Sequence, residues 1–250
     1  RDPLYNMLQI RNVKVSAHVK CIATAEEVKT LSVAELDARL DEAFSFDNFA
    51  WQRDNKISID VPYRADGLHR ILYKCPHCGA ENQMEGKGIH LTCHACGKTW
   101  EMDEYGQLAA CEGETEYPHI PDWYTWQRQC VRQELEAGTY LLDTDVTIGV
   151  QVDLKGLYMI GDGHLVHNET GFHLTGADGT LDYSQSPVAS HTLYSDYFFY
   201  EIGDVIGIGT NEISYFCFPK GNVSVTKARL ATEELYKMKK VRRTRTTEPV

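Results

Sequence analysis

A chain of 250 residues, 42% of them hydrophobic, can bury a core and leaves room for roughly one to three domains. Its formal net charge of −11 argues against a general nucleic-acid binder, which needs a dense positive face to hold a phosphate backbone. No run of eighteen apolar residues and no charged-then-apolar leader occurs, so the expectation is a cytoplasmic chain without a membrane span or export signal.

The first predicted element is a strand. Val13 to Cys21 alternates apolar and polar residues with period 2, the pattern of a half-buried strand. A helix follows: Ser32-Val33-Ala34-Glu35 is a capping box, and Val33, Leu36, Leu40, Ala43 and Phe44 fall on one face. A strand with no earlier partner, followed by one helix, suggests that residues 1–46 are the trailing part of a truncated domain. Residues 47–72 read as a connector with aromatic anchors Phe49 and Trp51 next to Phe46, and with one short strand, Lys56 to Val61, stopped by Pro62.

Eight cysteines divide into two classes. Cys21, Cys111, Cys130 and Cys217 are scattered singly, whereas Cys75, Cys78, Cys93 and Cys96 form two Cys-x2-Cys pairs, with fourteen residues between Cys78 and Cys93. Four soft thiolates complete the tetrahedral shell of one structural Zn2+ and leave no open position for a reacting water. Each pair is followed by glycine, Gly79 or Gly97, which can take the positive φ of a turn that aims backbone N–H groups at sulfur. The spacer has the length of a hairpin joining two such turns. Residues 73–110 are therefore a zinc ribbon, with Trp100 and Met102 as apolar cover. Free thiols or two disulfides are the alternative. His77 and His94 lie inside the turns, but the sulfurs already fill the coordination shell.

Residues 111–138 read as a linker and a helix. The acidic run Glu112 to Glu116 is a solvated link, since nothing near it closes a coordination shell. Asp122 is the expected cap of a helix in which Trp123, Trp126, Cys130 and Leu135 recur at helical spacing, and Gly138 ends it. The tryptophans are expected to pack that helix against a neighbour.

From Thr139 the texture changes to short strands and turns. Expected strands cover Tyr140–Leu142, Val146–Val152, Gly156–Ile160, His164–His167, Phe172–Thr175, Thr192–Ile202, Val205–Ile208 and Ile213–Phe218. Turn signals lie at Asp162-Gly163, Glu169-Thr170-Gly171, Asp178-Gly179, Gly203-Asp204 and Thr210-Asn211. In the aromatic run, alternation puts Tyr194, Phe198 and Tyr200 on one face and Tyr197 and Phe199 on the other, as in a strand buried on both sides. Seven or eight strands ending in one helix, Ser224 to Val241, make residues 139–242 resemble a pleckstrin-homology-like (PH-like) barrel or sandwich, a fold that implies an interaction module. The fold class expected overall is thus α+β and multidomain: a rubredoxin-like zinc ribbon, then an antiparallel β barrel with a C-terminal helix. Lys237, Lys239, Lys240, Arg242, Arg243 and Arg245 lead into a basic, disordered tail at 243–250 and are the one concentrated positive feature, suited to an anionic membrane surface.

Residues 73–102, Tyr105-Gly106-Gln107-Leu108 with Glu112 to Glu116, Leu193 to Tyr197 with Tyr200 to Asp204, and Arg229 to Tyr236 together resemble the C-terminal region of bacterial 1-acylglycerol-3-phosphate acyltransferase-like proteins. The resemblance spans nearly the whole chain. It implies an accessory region of an enzyme that transfers fatty acyl groups in phospholipid biosynthesis, partnered by its own upstream acyltransferase domain and peripheral to the inner membrane face. The family's chemistry uses a His-x4-Asp pair and a Glu-Gly-Thr-Arg-like segment. Two His-x4-Asp pairs occur, His173 with Asp178 and His191 with Asp196, both in the β-rich part where the family's active site is not placed, and no Glu-Gly-Thr-Arg is found. Chance supplies about one such match in a chain with ten histidines. No Gly-x-Ser-x-Gly, phosphate loop or His-Glu-x-x-His exists, and the glycines from Gly203 to Gly209 lie between strands, away from any helix start. The expectation is a zinc-binding, non-catalytic accessory region; a free-standing zinc-ribbon adaptor for protein or nucleic acid is the alternative.

Overall fold

The structure is a computed structural model that describes residues 17–152 and 156–246. Two short helices open it, α1 (Ala25–Thr30) and α2 (Val33–Phe44). Both begin with complete capping boxes, Thr24 with Glu27 and the expected Ser32 with Glu35, which satisfy amides that the first helical turn leaves without partners. Arg39 of α2 ties them together by donating to the carbonyl of Ile22 at 3.0 Å and to Glu27 at 3.2 Å. Neither helix buries a residue, and the apolar face of α2 is open to solvent, with Val33 74% and Phe44 80% exposed. The strand expected over Val13–Cys21 lies partly outside the described residues, and 17–21 form no strand.

Within the segment read as a connector, α3 (Asn48–Asp54) forms where no helix is expected, capped by Asp47, whose Oδ1 accepts from the Ala50 amide at 2.9 Å. The strand expected over Lys56–Val61 is absent. The segment is held instead by scattered bonds: the Gln52 amide nitrogen donates to the carbonyls of Ile57 (3.2 Å) and Glu104 (3.1 Å), and the Ile59 amide reaches the Glu104 carbonyl at 2.8 Å without a ladder continuing from it.

Four antiparallel strands follow in sequential order: β1 (Met84–Lys87), β2 (His90–Cys93), β3 (Thr99–Met102) and β4 (Leu108–Ala110). One core joins Ala65, Leu68, Leu72, Met84, Leu91, Trp100 and Leu108 to Ile120 and Trp123 of α4 (Ile120–Ala137). Trp100 and Trp123 are wholly buried and meet edge to face at 5.0 Å between centroids. Each contributes on the order of 1.5–3 kcal/mol by burial. His119, not Asp122, is the residue that precedes the first turn of α4, because Ile120 and Pro121 are already helical; Asp122 sits inside that turn, where its charge suits the helix dipole. Gly138 ends the helix in the left-handed conformation, φ 68°, as expected.

The β-rich part is one seven-stranded antiparallel sheet. Its strands are β5 (Leu142–Gln151), β6 (Tyr158–Asn168), β7 (Gly171–Gly176), β8 (Leu181–Gln185), β9 (Tyr194–Phe199), β10 (Gly203–Gly209) and β11 (Ser214–Pro219), in the order β8-β7-β6-β5-β11-β10-β9. The sheet curls until Tyr183 and Tyr215 lie 5.1 Å apart and Gln185 Oε1 accepts from the Gly209 amide at 2.9 Å. No ladder joins β8 to β9, so the expected barrel is not closed. Helix α5 (Val225–Thr246) covers the concave side with Val225, Ala228, Leu230, Ala231 and Leu235, beside Val131 and Leu135 of α4. It runs to Thr246, past the point where the sequence predicts fraying; residues 247–250 lie outside the described residues.

Several strand boundaries differ from expectation. Tyr140–Leu142 and Val146–Val152 are not separate strands, because Leu142 to Gln151 is continuous. Asp162-Gly163 is not a turn but the middle of β6: Gly163 and Gly176 face one another across β6 and β7 and leave room for the Ile148 side chain, which a Cβ at either position would strike. β8 was not expected. In the aromatic run, Tyr197 enters the main core while Tyr194 and Tyr200 are exposed. Phe198 adopts φ 57°, and Phe199 lies on the outer face, stacked 5.2 Å from Phe216.

Candidate metal centre

The Sγ atoms of Cys75, Cys78, Cys93 and Cys96 lie within 4.8 Å of one another, and this is the one group among the described residues that could hold a metal ion. Cys75 is paired with Cys96 at 3.9 Å, and Cys78 with Cys93 at 3.8 Å. The sequence builds each half locally. In the first turn, the Gly79 amide donates to the Cys75 carbonyl at 2.9 Å and the Cys75 amide to that of Ala80 at 2.9 Å; in the second, Gly97 donates to Cys93 at 2.8 Å and Cys93 to Lys98 at 2.9 Å. Gly79 and Gly97 hold φ 76° and 78°, the left-handed region the turns require. β1 and β2 then form the hairpin that brings the turns together.

Two of the four cysteines are inside and two outside. Cys75 and Cys93 are wholly buried, while Cys78 and Cys96 face solvent. Burial pushes the Cys75 and Cys93 thiols up, opposed by the amides of Cys78 and His77 at the first and of Cys96 and Ala95 at the second. At Cys78 burial also works upward, but the Ala80 amide and the neighbouring thiols hold it below the usual thiol range. These N–H groups aimed at sulfur favour thiolate, the form that binds a metal ion.

The histidines inside the turns point to carboxylates. His77 Nδ1 is 3.3 Å from Glu116, and His94 Nε2 is 3.0 Å from Glu85. Glu116, which the sequence places in a solvated link, is instead engaged beside the cysteine turns. Its carboxylate accepts from Lys98 Nζ at 2.6 Å and from the Trp100 indole at 3.2 Å, and Lys98 also reaches the Glu114 carbonyl at 2.6 Å. The acidic run thus folds back over the second turn. Its charge pattern was visible, but its direction was not.

No family model, curated protein or solved structure matches the chain. Nothing among these comparisons identifies an acyltransferase region. Neither His-x4-Asp pair forms a dyad: His173 Nε2 bonds Asp182 at 2.9 Å instead of Asp178. His191 lies against the Tyr236 ring, and Asp196 Oδ1 accepts from the Tyr197 amide at 2.8 Å. The glycines from Gly203 to Gly209 belong to one strand, β10. Trp123 and Trp126 pack as expected, the latter stacked on Tyr117 at 5.7 Å. Of the basic group near the end of α5, Lys237 bonds Glu234 at 2.7 Å and Lys240 lies over the Tyr236 ring. Among the described residues, no helix is long and apolar enough to cross a membrane.

Proposed function

We propose that this chain is a zinc-stapled accessory module that binds or positions other polypeptide and carries no chemistry of its own. The observation that carries the reading is the four-sulfur cluster within 4.8 Å, held by two glycine-ended turns. An all-thiolate tetrahedral set suits Zn2+ among common metal ions and closes the coordination shell, the arrangement of a structural site. The rubredoxin-like name for the hairpin and the PH-like name for the curled sheet with its C-terminal helix belong to this proposal, and the PH-like resemblance implies an interaction module at most.

The acyltransferase parentage rests on sequence resemblance. The uncovered apolar face of α2 favours it, since Val33, Leu40 and Phe44 suit contact with a neighbouring domain. On that reading the basic end of α5 meets an anionic membrane, each basic residue contributing about 1 kcal/mol near the surface. A free-standing adaptor is the second reading, and the net charge of −11 turns it toward protein partners over nucleic acid.

Elemental analysis of purified protein tests the central claim. One equivalent of zinc per chain is expected. Well under half an equivalent, with all four thiols freely titratable, overturns it. Acyl donor and lysophosphatidate supplied to this chain alone are expected to remain unreacted.

A further inference from the structure

The segment that leads into Cys75 belongs to both halves of the molecule. Tyr73 lies in the main core of the β-rich part, while Cys75 lies in the core of the four-stranded sheet. Lys74, between them, is fixed on every side: its amide donates to Gln127 Oε1 at 3.0 Å, and its carbonyl accepts from the Trp123 indole at 3.0 Å. A bridge between Lys74 and Glu81 closes the first turn.

The side chains of those two residues continue into the helices. Lys74 Nζ lies 3.0 Å from Glu81 and 3.7 Å from Glu134 of α4. Lys227 of α5 lies 2.8 Å from Glu81 and 2.8 Å from Glu134. Two ammonium groups and two carboxylates, each no more than a quarter exposed, thus alternate around a closed ring. Beside it, the side-chain amides of Asn82 and Asn222 each donate to the other's carbonyl, at 2.9 and 3.0 Å. Thr226 adds a bond to the Arg70 carbonyl at 2.6 Å.

We infer that this charge ring couples metal occupancy of the four cysteines to the docking of α4 and α5. The inference rests on the metal reading above. Without a cation the clustered sulfurs lose the bond that holds both turns, and a turn that opens carries Lys74 and Glu81 apart. Glu134 and Lys227 then each lose one of two counter-charges and keep only one another at 2.8 Å, so the same half-buried charges are held by fewer partners. The far end of the linkage is the helix pair that covers the curled sheet.

Hydrogen exchange on the full chain tests this, after zinc stoichiometry has been measured on the same sample. With zinc removed by a chelator, amides in residues 123–135 and 225–236 are expected to exchange roughly tenfold faster, within the range usual for linked sites, together with 73–102. Acceleration confined to 73–102 overturns the coupling and leaves the metal reading intact. A chain that binds no metal overturns both. Because linkage is reciprocal, Lys227→Met, which leaves every cysteine and its turn in place, is expected to release zinc to a chelator several-fold more readily. Unchanged release from a folded Lys227→Met protein also refutes the coupling.

Discussion

Lys98 and Glu116 form a tight pair, 2.6 Å between Nζ and Oε1, with only 11% and 20% of their side chains exposed. The same carboxylate accepts from the buried Trp100 indole, and Lys98 lies over the Trp100 ring. One acid thus fixes both the residue that follows the second cysteine turn and the largest side chain beneath it. Burial works to raise Glu116, but the Lys98 bond, its own backbone amide and the Trp100 indole hold it below the usual carboxylate range.

Glu116→Gln is expected to destabilise the chain by about 1 to 3 kcal/mol, the cost of leaving a largely buried ammonium without its counter-charge. Denaturant melts of the parent and variant chains measure it, and Trp100 emission is expected to shift to the red. A change within about 0.5 kcal/mol, as for ordinary surface sites, counts against this role.

The cysteines are expected to separate by position. On the zinc reading proposed above, serine at Cys75, Cys78, Cys93 or Cys96 would remove a ligand from a site whose binding free energy is on the order of 10 kcal/mol or more, so these variants are expected to lose stoichiometric zinc. Cys111→Ser and Cys130→Ser, outside the cluster, retain it. Metal analysis of the set gives the answer, and retention of full zinc by Cys93→Ser would remove that residue from the site.

Where chemistry is local, the sequence was a sufficient guide. Ser32 with Glu35, the two Cys-x2-Cys-Gly turns and Gly138 each act within a few residues, and each forms as expected. Relationships set by tertiary contact were not legible. Gln52 ties Ile57 to Glu104 where a strand is expected, and Lys227 reaches Glu81 from 146 residues away. β8 is hard to read because three of the five residues in Leu181-Asp182-Tyr183-Ser184-Gln185 are polar: Asp182 and Ser184 face out at the edge of the sheet, and Gln185 is buried where it bonds the Gly209 amide. The barrel expectation failed on closure, a property of the whole sheet that no run of residues encodes.

His167 predicts an acid-sensitive core. It is buried, stacked on Phe172 at 3.7 Å, and bonded through Nδ1 to the Tyr140 hydroxyl at 2.9 Å. Burial lowers its pKa from 6.5 to about 3. The unfolded chain therefore takes up a proton that the folded chain refuses. This residue's contribution is full above about pH 6.5 and is lost as pH falls toward 3, with a slope of up to about 1.4 kcal/mol per pH unit. His167→Gln cannot titrate, so its stability is expected to fall less steeply than that of the parent chain between pH 6 and 4. Equal slopes would mean that the imidazole is not held neutral in the fold.

The close approach of β5, β6 and β7 depends on the absence of two side chains. A Cβ on Gly176 would come within 2.6 Å of Ile148 Cδ1 and 2.9 Å of the Asp162 carbonyl, whereas one on Gly163 would meet the Thr175 carbonyl as well as Ile148. Overpacking of this kind costs about 1 to 3 kcal/mol. The two sites differ in how near the backbone is: the carbonyl lies 2.9 Å from the added Cβ at Gly176 but 2.3 Å from it at Gly163, and a β-sheet carbonyl cannot move without breaking its ladder, whereas Ile148 Cδ1 ends a side chain that can be shortened. Ile148→Val is therefore expected to rescue part of the loss in Gly176→Ala and little of that in Gly163→Ala. Melting the two single and two double variants alongside Ile148→Val completes both cycles. Equal rescue at both positions would show that the Ile148 methyl, and not the backbone of β7, limits how closely these strands pack.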